Sequence, residues 1–307
     1  MKKRYLYKLF VFLIPVLLVL LSMELFYRAV PNNYTFKNEI LSKNQPDIKV
    51  LIFGNSHTFY GLNPEFFTKP TVNVANISQS IYFDQLLFEN YIKNFQNLKF
   101  VVLNVEYFSL SQIDNSDEDR WRKFYYQTYM NLDVPMISSF EIQNYFLSGT
   151  RNFSTNVDLV KEYLDKGTLI NCDENGFGAN YTKEKRVKNL IEFTSEIVKK
   201  HEDSNLDFAL NVSRIEAIAT QCKSLGIKVI LVTMPVTKGY AEQVNSQKIS
   251  KIFKTCAEIE TRDDNVSYLN LFSDKRFSDD DFYDVDHLHG EGAQKCSEIV
   301  SKFLQIN

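Results

Sequence analysis

Two rhythms of apolar and polar residues run along this chain, and together they place its elements. Leu9 to Met23 is an unbroken apolar run behind Lys2, Lys3, Arg4 and Lys8. By itself it is shorter than the roughly 20 residues of a comfortable membrane span. It reaches that length by adding Tyr5 to Tyr7 or Leu25 to Tyr27. The run is apolar on all faces, so a buried helix of a soluble domain fits it poorly. Ser22-Met23-Glu24 is a poor cleavage site, and the pattern predicts an uncleaved signal anchor. Residues 1–8 are then a cytoplasmic basic leader and 9–28 the transmembrane anchor, with everything after Arg28 outside the cytoplasm. Residues 29–48 are polar, carry two prolines and read as a linker.

The rhythm then changes to short apolar runs separated by helical spacing. Val50 to Phe53, Thr71 to Ala75, Phe100 to Val105, Ile227 to Thr233 and Ser267 to Leu271 read as strands. Ile81 to Phe95, Asn205 to Leu225, about Tyr240 to Ile259 and Gly292 to Leu304 read as helices. Strands alternating with helices predict an α/β three-layer sandwich around a five-stranded parallel sheet, in flavodoxin-like order 2-1-3-4-5. The alternation lapses between about 108 and 204, where charged runs mix with aromatic clusters such as Phe124-Tyr125-Tyr126. That stretch is expected to be a mostly helical insertion over the carboxyl edge of the sheet, within one α/β domain at 49–307.

Composition narrows the function. Across 307 residues the hydrophobic content is 44% and the net charge −3, which suits a packed core and disfavours nucleic acid as a partner. Cys172, Cys222, Cys256 and Cys296 have neither CxxC nor zinc spacing and read as buried thiols, with one disulfide open to a domain outside the cytoplasm.

The candidate chemistry starts at Gly54-Asn55-Ser56-His57, directly after the first strand. This order of strands makes strand one central, and its loop opens where open α/β sheets bind ligands. Ser56 needs a base to become a nucleophile. His57 is its sequence neighbour, and its ring is expected to point away from the hydroxyl while still lining the pocket. His201 lies in Lys199-Lys200-His201-Glu202-Asp203 and reads as a solvated surface residue. His287 and His289 lie in a loop after the fifth strand, at the same sheet edge. Asp284 precedes His287 by three positions, so one short turn can bring its carboxylate to Nδ1 and leave Nε2 for Ser56. Asp286 is the alternative partner, and His289 is expected to point elsewhere. Asp281, Asp284, Asp286, His287 and His289 could instead hold a cation. Their confinement to one loop argues against a catalytic metal site, and no cofactor is expected.

These motifs resemble the SGNH/GDSL hydrolase superfamily. The resemblance rests on Gly54-Asn55-Ser56 at one end and on Asp284, His287, Leu288, Gly292 and Ala293 at the other. It covers about 49–107 and 205–304 and omits the insertion. It implies a catalytic triad of Ser56, His287 and Asp284. The N–H of Ser56, with Asn76, Ser78 or Asn104, would form the oxyanion hole. The superfamily's second block normally supplies a glycine, and 75–80 has none; its third block normally reads Gly-x-Asn-Asp, and Asn104-Val105-Glu106 fits it poorly. A single anchor ahead of an extracytoplasmic domain is similar to members acting on envelope polymers, including the D-alanyl-lipoteichoic acid and alginate O-acetylation proteins. The implied activity is that of a serine esterase or O-acyltransferase acting on acyl, chiefly acetyl, esters of a carbohydrate or envelope polymer. A membrane partner could supply the acyl donor. Asn55, His57, Trp121, Tyr125 and Phe177 are candidates for the substrate surface. A catalytically inactive, membrane-tethered binding partner and a metal-dependent hydrolase are the competing readings.

Overall fold

The computed structural model describes residues 2–43 and 45–306. Met1, Asn44 and Asn307, which fall in the expected leader, linker and α/β domain, lie outside the described residues. In chain order the helices are α1 (Lys2–Ala29), α2 (Asn33–Ser42), α3 (Ser56–Gly61), α4 (Ile81–Tyr91), α5 (Asp119–Met130) and α6 (Phe153–Lys166). They continue with α7 (Leu190–His201), α8 (Ala209–Ser224), α9 (Lys238–Gln243), α10 (Ser246–Arg262) and α11 (Gly290–Ile306). The strands are β1 (Val50–Phe53), β2 (Thr71–Asn73), β3 (Phe100–Asn104), β4 (Lys228–Thr233) and β5 (Val266–Asn270). Two compact units emerge, residues 1–38 with 120–170 and residues 39–119 with 171–307.

The second unit holds the sheet. Its five strands lie in the order β2-β1-β3-β4-β5, and every neighbouring pair is parallel, as the alternation of runs predicts. Register aligns Val50 with both Thr71 and Phe100, and Phe100 with Lys228. The strands therefore end together, and the loops after them meet along one edge. Strand residues are buried on both faces, the signature of a sheet covered by helices on each side. Val50, Ile52, Val102, Ile230 and Val232 pack with Ala293, Cys296, Val300 and Leu304 of α11. Leu51, Phe53, Val101, Leu103, Val229 and Leu231 alternate with them and are equally buried. On that face Phe53 meets Phe88 of α4 edge-on at 6.3 Å between ring centres. Cys222, Cys256 and Cys296 are buried thiols.

Two local signals sharpen the expected boundaries. The single helix expected at about 240–259 is two helices, because Asn245 caps α10 by accepting hydrogen bonds from the N–H groups of Gln247 and Lys248. The residues after β1 form a short helix rather than an open turn, because the Asn55 side chain accepts the His57 N–H at its start. At its far end Asn73 donates to the carbonyls of Thr58 and Leu62, both at 2.8 Å.

The first unit is built on α1, which with α5 and α6 carries its helical part. Lys3–Ala29 has a mean hydropathy of 2.7 and is long and apolar enough to cross a membrane. Within the stretch expected as linker, Asn33–Ser42 is helical.

Candidate active site

The turn into α3 is fixed by the backbone. Gly54 has φ +127, a conformation reserved for glycine, and a Cβ there would overlap Cβ of Asn104 and lie 2.7 Å from Thr58 Oγ1. The Gly54 N–H donates to Asp84 Oδ1 at 3.0 Å, and Gln79 Nε2 donates to the same oxygen at 2.6 Å. Burial of this carboxyl pushes its pKa up to about 7, against the pull of both hydrogen bonds. Ser56 is thereby set as the first residue of α3, at the carboxyl edge of the central strand.

The loop between β5 and α11 brings the other groups. His287 Nε2 lies 2.8 Å from Ser56 Oγ across 231 positions of sequence. Its Nδ1 lies 3.0 and 3.1 Å from the two oxygens of Asp284, which also accepts the His287 N–H at 2.8 Å. Ser56, His287 and Asp284 are thus in hydrogen-bonding sequence, the geometry in which an imidazole can take a serine proton. Tyr283 N–H donates to the His287 carbonyl at 2.8 Å, closing the loop on itself. Three stacked tyrosines flank it. Tyr60 and Tyr181 lie 3.7 Å apart and Tyr181 and Tyr283 3.8 Å, with Tyr60 and Tyr181 both edge-on to His287.

A second layer of charge lies beneath. Asp286, the alternative partner and the sequence neighbour of His287, also reaches it, with Oδ1 within 3.1 Å of Nδ1. The other oxygen of Asp286 is 3.3 Å from His57 Nε2, and His57 Nδ1 is 3.5 Å from Glu106 Oε2. All three of these side chains are buried. His57 is thus not part of a substrate surface; it bridges two carboxylates below the triad, with its ring 4.7 Å from that of His287. Burial opposes its charge, but Glu106 and Asp286 outweigh that and raise its pKa to about 9. Burial opposes the charge on His287 too, and Asp286 and Asp284 together carry its pKa well above the ordinary 6.5. Of the two carboxylates, Asp284 has hydrogen-bond alignment to Nδ1, and Asp286 acts on it as a nearby buried charge. His201 is not a solvated surface residue. Its Nδ1 pairs with Tyr240 Oη at 2.8 Å, and burial lowers its pKa to about 4. His289 does point elsewhere, with Nε2 2.6 Å from the Asp280 carbonyl.

The remaining predicted residues separate. Asn104 Nδ2 donates to Asn55 Oδ1 at 2.8 Å, so Asn104 faces inward and Asn55 serves the cap of α3, not a substrate. Asn76 keeps a buried Nδ2 without a partner among the described residues. Ser78 has φ +54, the left-handed conformation glycine adopts most readily, where the expected glycine is missing. Neither the Ser56 nor the Ser78 N–H has a partner among the described residues. Phe177 is buried in the core with Leu288 and Ala293 and is not among the residues lining the cavity at Ser56. Trp121 and Tyr125 belong to the first unit, where Trp121 meets Tyr125 edge-on and the Arg151 guanidinium at 3.8 Å.

Ser56 and His287 open onto a cavity of about 730 Å³. Its wall mixes aromatic rings (Tyr60, Phe108, Tyr181) with hydroxyl and amide groups (Ser78, Ser111, Gln112, Asn205) and with Lys200, His201 and Asp203. Donor atoms of His57, Asp286 and His287 lie within 4.8 Å of one another. Both nitrogens of His287 are already engaged, by Ser56 and by the carboxylates, so a cation there would have to displace the triad's own contacts. The role of Glu106 beneath the triad was not expected from the sequence, whereas Asp286 was already the alternative partner of His287. The signal for Glu106 was available: a carboxylate two positions past the end of β3, at the edge where the other loops converge.

No family model matches the chain, and no curated protein is significantly similar to it. Solved structures similar to it include an acylhydrolase, so described provisionally, from Bacteroides fragilis (14% identity, TM-score 0.43, covering 89% of this chain and 94% of that one). A GDSL-like lipase from Bacteroides thetaiotaomicron shares 13% identity at a TM-score of 0.42, covering 89% of this chain and 97% of that one. A provisionally described platelet activating factor from Streptococcus pneumonia shares 12% identity at a TM-score of 0.45, covering 94% and 99%. Likeness at this level assigns no activity.

Proposed function

We propose that this chain is a membrane-anchored serine esterase or O-acyltransferase of the SGNH/GDSL type. One observation carries the reading: Ser56 Oγ stands 2.8 Å from an imidazole nitrogen whose partner nitrogen is held by Asp284 at 3.0 Å. Ser56 attacks the acyl carbonyl while His287 Nε2 takes its proton. The oxyanion is received by the N–H groups of Ser56 and Ser78, with Asn76 Nδ2 as a third donor. His287 returns the proton to the leaving alcohol. Water or a sugar hydroxyl then resolves the acyl-serine, again with His287 as base.

The substrate is an acyl ester, chiefly acetyl, of a carbohydrate or envelope polymer. The mixture of aromatic faces with hydroxyl and amide groups in the cavity supports a sugar. Residues 1–8 are the cytoplasmic leader and 9–28 the anchor, with the catalytic unit outside the cytoplasm, where a membrane partner could deliver the acyl donor. The test is hydrolysis of p-nitrophenyl acetate and of an acetylated polysaccharide by the full-length protein in detergent. Turnover that survives Ser56→Ala unchanged rules the serine mechanism out.

A further inference from the structure

Between 140 and 153 the first unit leaves large apolar side chains uncovered. Phe140 is 96% exposed, Phe153 66% and Ile142 64%, and Tyr145 and Phe146 are more than half exposed. An isolated exposed apolar residue is ordinary; a cluster this dense marks an interaction surface.

Its position says what covers it. The stretch is tied to the last turns of α1. Arg28 Nη2 donates to the Tyr145 carbonyl at 3.0 Å, and the Ser148 N–H donates to Glu24 Oε2 at 3.0 Å. Tyr27 Oη donates to Asn156 at 2.6 Å, and Asn156 donates to the Ser148 carbonyl at 2.9 Å. N-terminal to these ties α1 is bare: its side chains from Tyr5 to Leu21 are exposed, whereas Glu24 and Tyr27 are buried. Protein contact on α1 therefore begins at Glu24, past the stretch that is bare on all sides.

Helix length brings the two surfaces together. The bare apolar stretch of α1, Tyr5 to Leu21, spans about 25 Å at 1.5 Å per residue, close to a hydrocarbon layer of about 30 Å. The turn that follows it, with Glu24, therefore reaches the headgroup level. Glu24 can lie there because Arg28 pairs with its carboxylate and the Ser148 N–H donates to it.

We propose that residues 140–153 form a membrane seat, with Phe140, Ile142, Tyr145, Phe146 and Phe153 entering the headgroup–acyl boundary of the leaflet in which α1 ends. Its occupant is lipid because the patch continues the surface that α1 already presents to lipid. Tyr145 suits the interfacial belt, and the phenylalanines suit the headgroup–acyl boundary. The seat holds the first unit against the bilayer rather than letting it swing on the helix.

The inference rests on the anchoring part of the proposed function, and one experiment separates the two. The full-length protein carrying Cys172→Ser is labelled with an environment-sensitive fluorophore at a cysteine placed at Phe140, Ile142 or Phe146. It is reconstituted in phosphatidylcholine–phosphatidylglycerol vesicles with nitroxide lipids labelled at shallow or deep acyl positions. Leu17 serves as the spanning control and Lys254, a charged residue exposed on α10, as the aqueous control. The expected result is blue-shifted emission at 140, 142 and 146, with shallow nitroxide quenching about threefold stronger than at 254, and deep quenching at 17. Deep quenching at 17 with no quenching at 140, 142 or 146 overturns the seat while leaving the anchor standing. Blue-shifted but unquenched labels mean that protein covers the patch, and overturn the seat as well. Absence of quenching at 17 overturns both.

Discussion

After β1 the chain turns within a few residues, and what fixes it is backbone: a glycine at φ +127, an asparagine cap, and a buried carboxyl accepting the Gly54 N–H. After β5 the chain takes a long loop before α11, and charge dominates there. Asp284 and Asp286 converge on one nitrogen of His287, and His57 stands between Asp286 and Glu106. The nucleophile is located by steric necessity, the base by electrostatics. Changes to the backbone that sets Ser56 should therefore act on geometry and leave the pH profile alone, and changes to the charges around His287 should be graded and pH-dependent.

The largest effect should come from Ser56→Ala, which removes the nucleophile and should lower kcat for ester hydrolysis by on the order of 10⁶. Asp284→Asn comes next. A triad aspartate can be worth about 10⁴ in kcat, but here Asp286 remains 3.1 Å from the same nitrogen. The loss in steady-state kcat should accordingly be about 10²–10⁴; a loss as large as that of Ser56→Ala would mean that Asp286 gives no support.

Gly54→Ala tests the first loop alone. Its new methyl group crowds Asn104 and Thr58, and crowding of this kind costs about 1–3 kcal/mol. A displaced Ser56 should lower activity about 10²-fold, with the pH profile unmoved. Thermal unfolding and a pH–rate profile on the same variant check both halves of this expectation.

The smallest effects should come from His57 and Asp286, the charges beneath the triad, and shift pH dependence rather than rate. His287 must be neutral to accept a proton, and its neighbouring carboxylates hold its pKa well above 6.5. Activity should therefore fall as pH drops through a midpoint above that of a free imidazole. His57→Gln removes a positive neighbour, which should raise the His287 pKa and move the acid limb of kcat/KM up by about one pH unit. Asp286→Asn removes a negative one and should move the limb down by about as much. An unmoved limb in both would reduce the second layer to a packing role.

The fold was legible because its signals are periodic. Buried strands read as short β-branched runs, and their parallel order follows from the helices between them. Ser56, Asp284 and His287 were legible because each sits next to a strand end or a helix start. The rest depended on direction in space, which residue type does not encode. Phe177 and Tyr125 are aromatic like Tyr60 and Tyr181, yet only the latter two line the cavity. His201 looked solvated among lysines and acids, but the imidazole is directed at Tyr240. His57, directly after Ser56, was expected to turn away from the hydroxyl and line the pocket. In a helix, however, neighbouring side chains point to different sides, and this one reaches the carboxylates below. Asn104 sits at the expected strand end but faces Asn55.

The most direct test of the Ser56–His287 pairing is covalent labelling of the full-length protein with a fluorophosphonate, read by peptide mass spectrometry and repeated in His287→Ala. The prediction is a single phosphonyl adduct on Ser56 that forms at least about 10²-fold more slowly without His287. No adduct on Ser56 in the folded protein, or an equal labelling rate in His287→Ala, would contradict it.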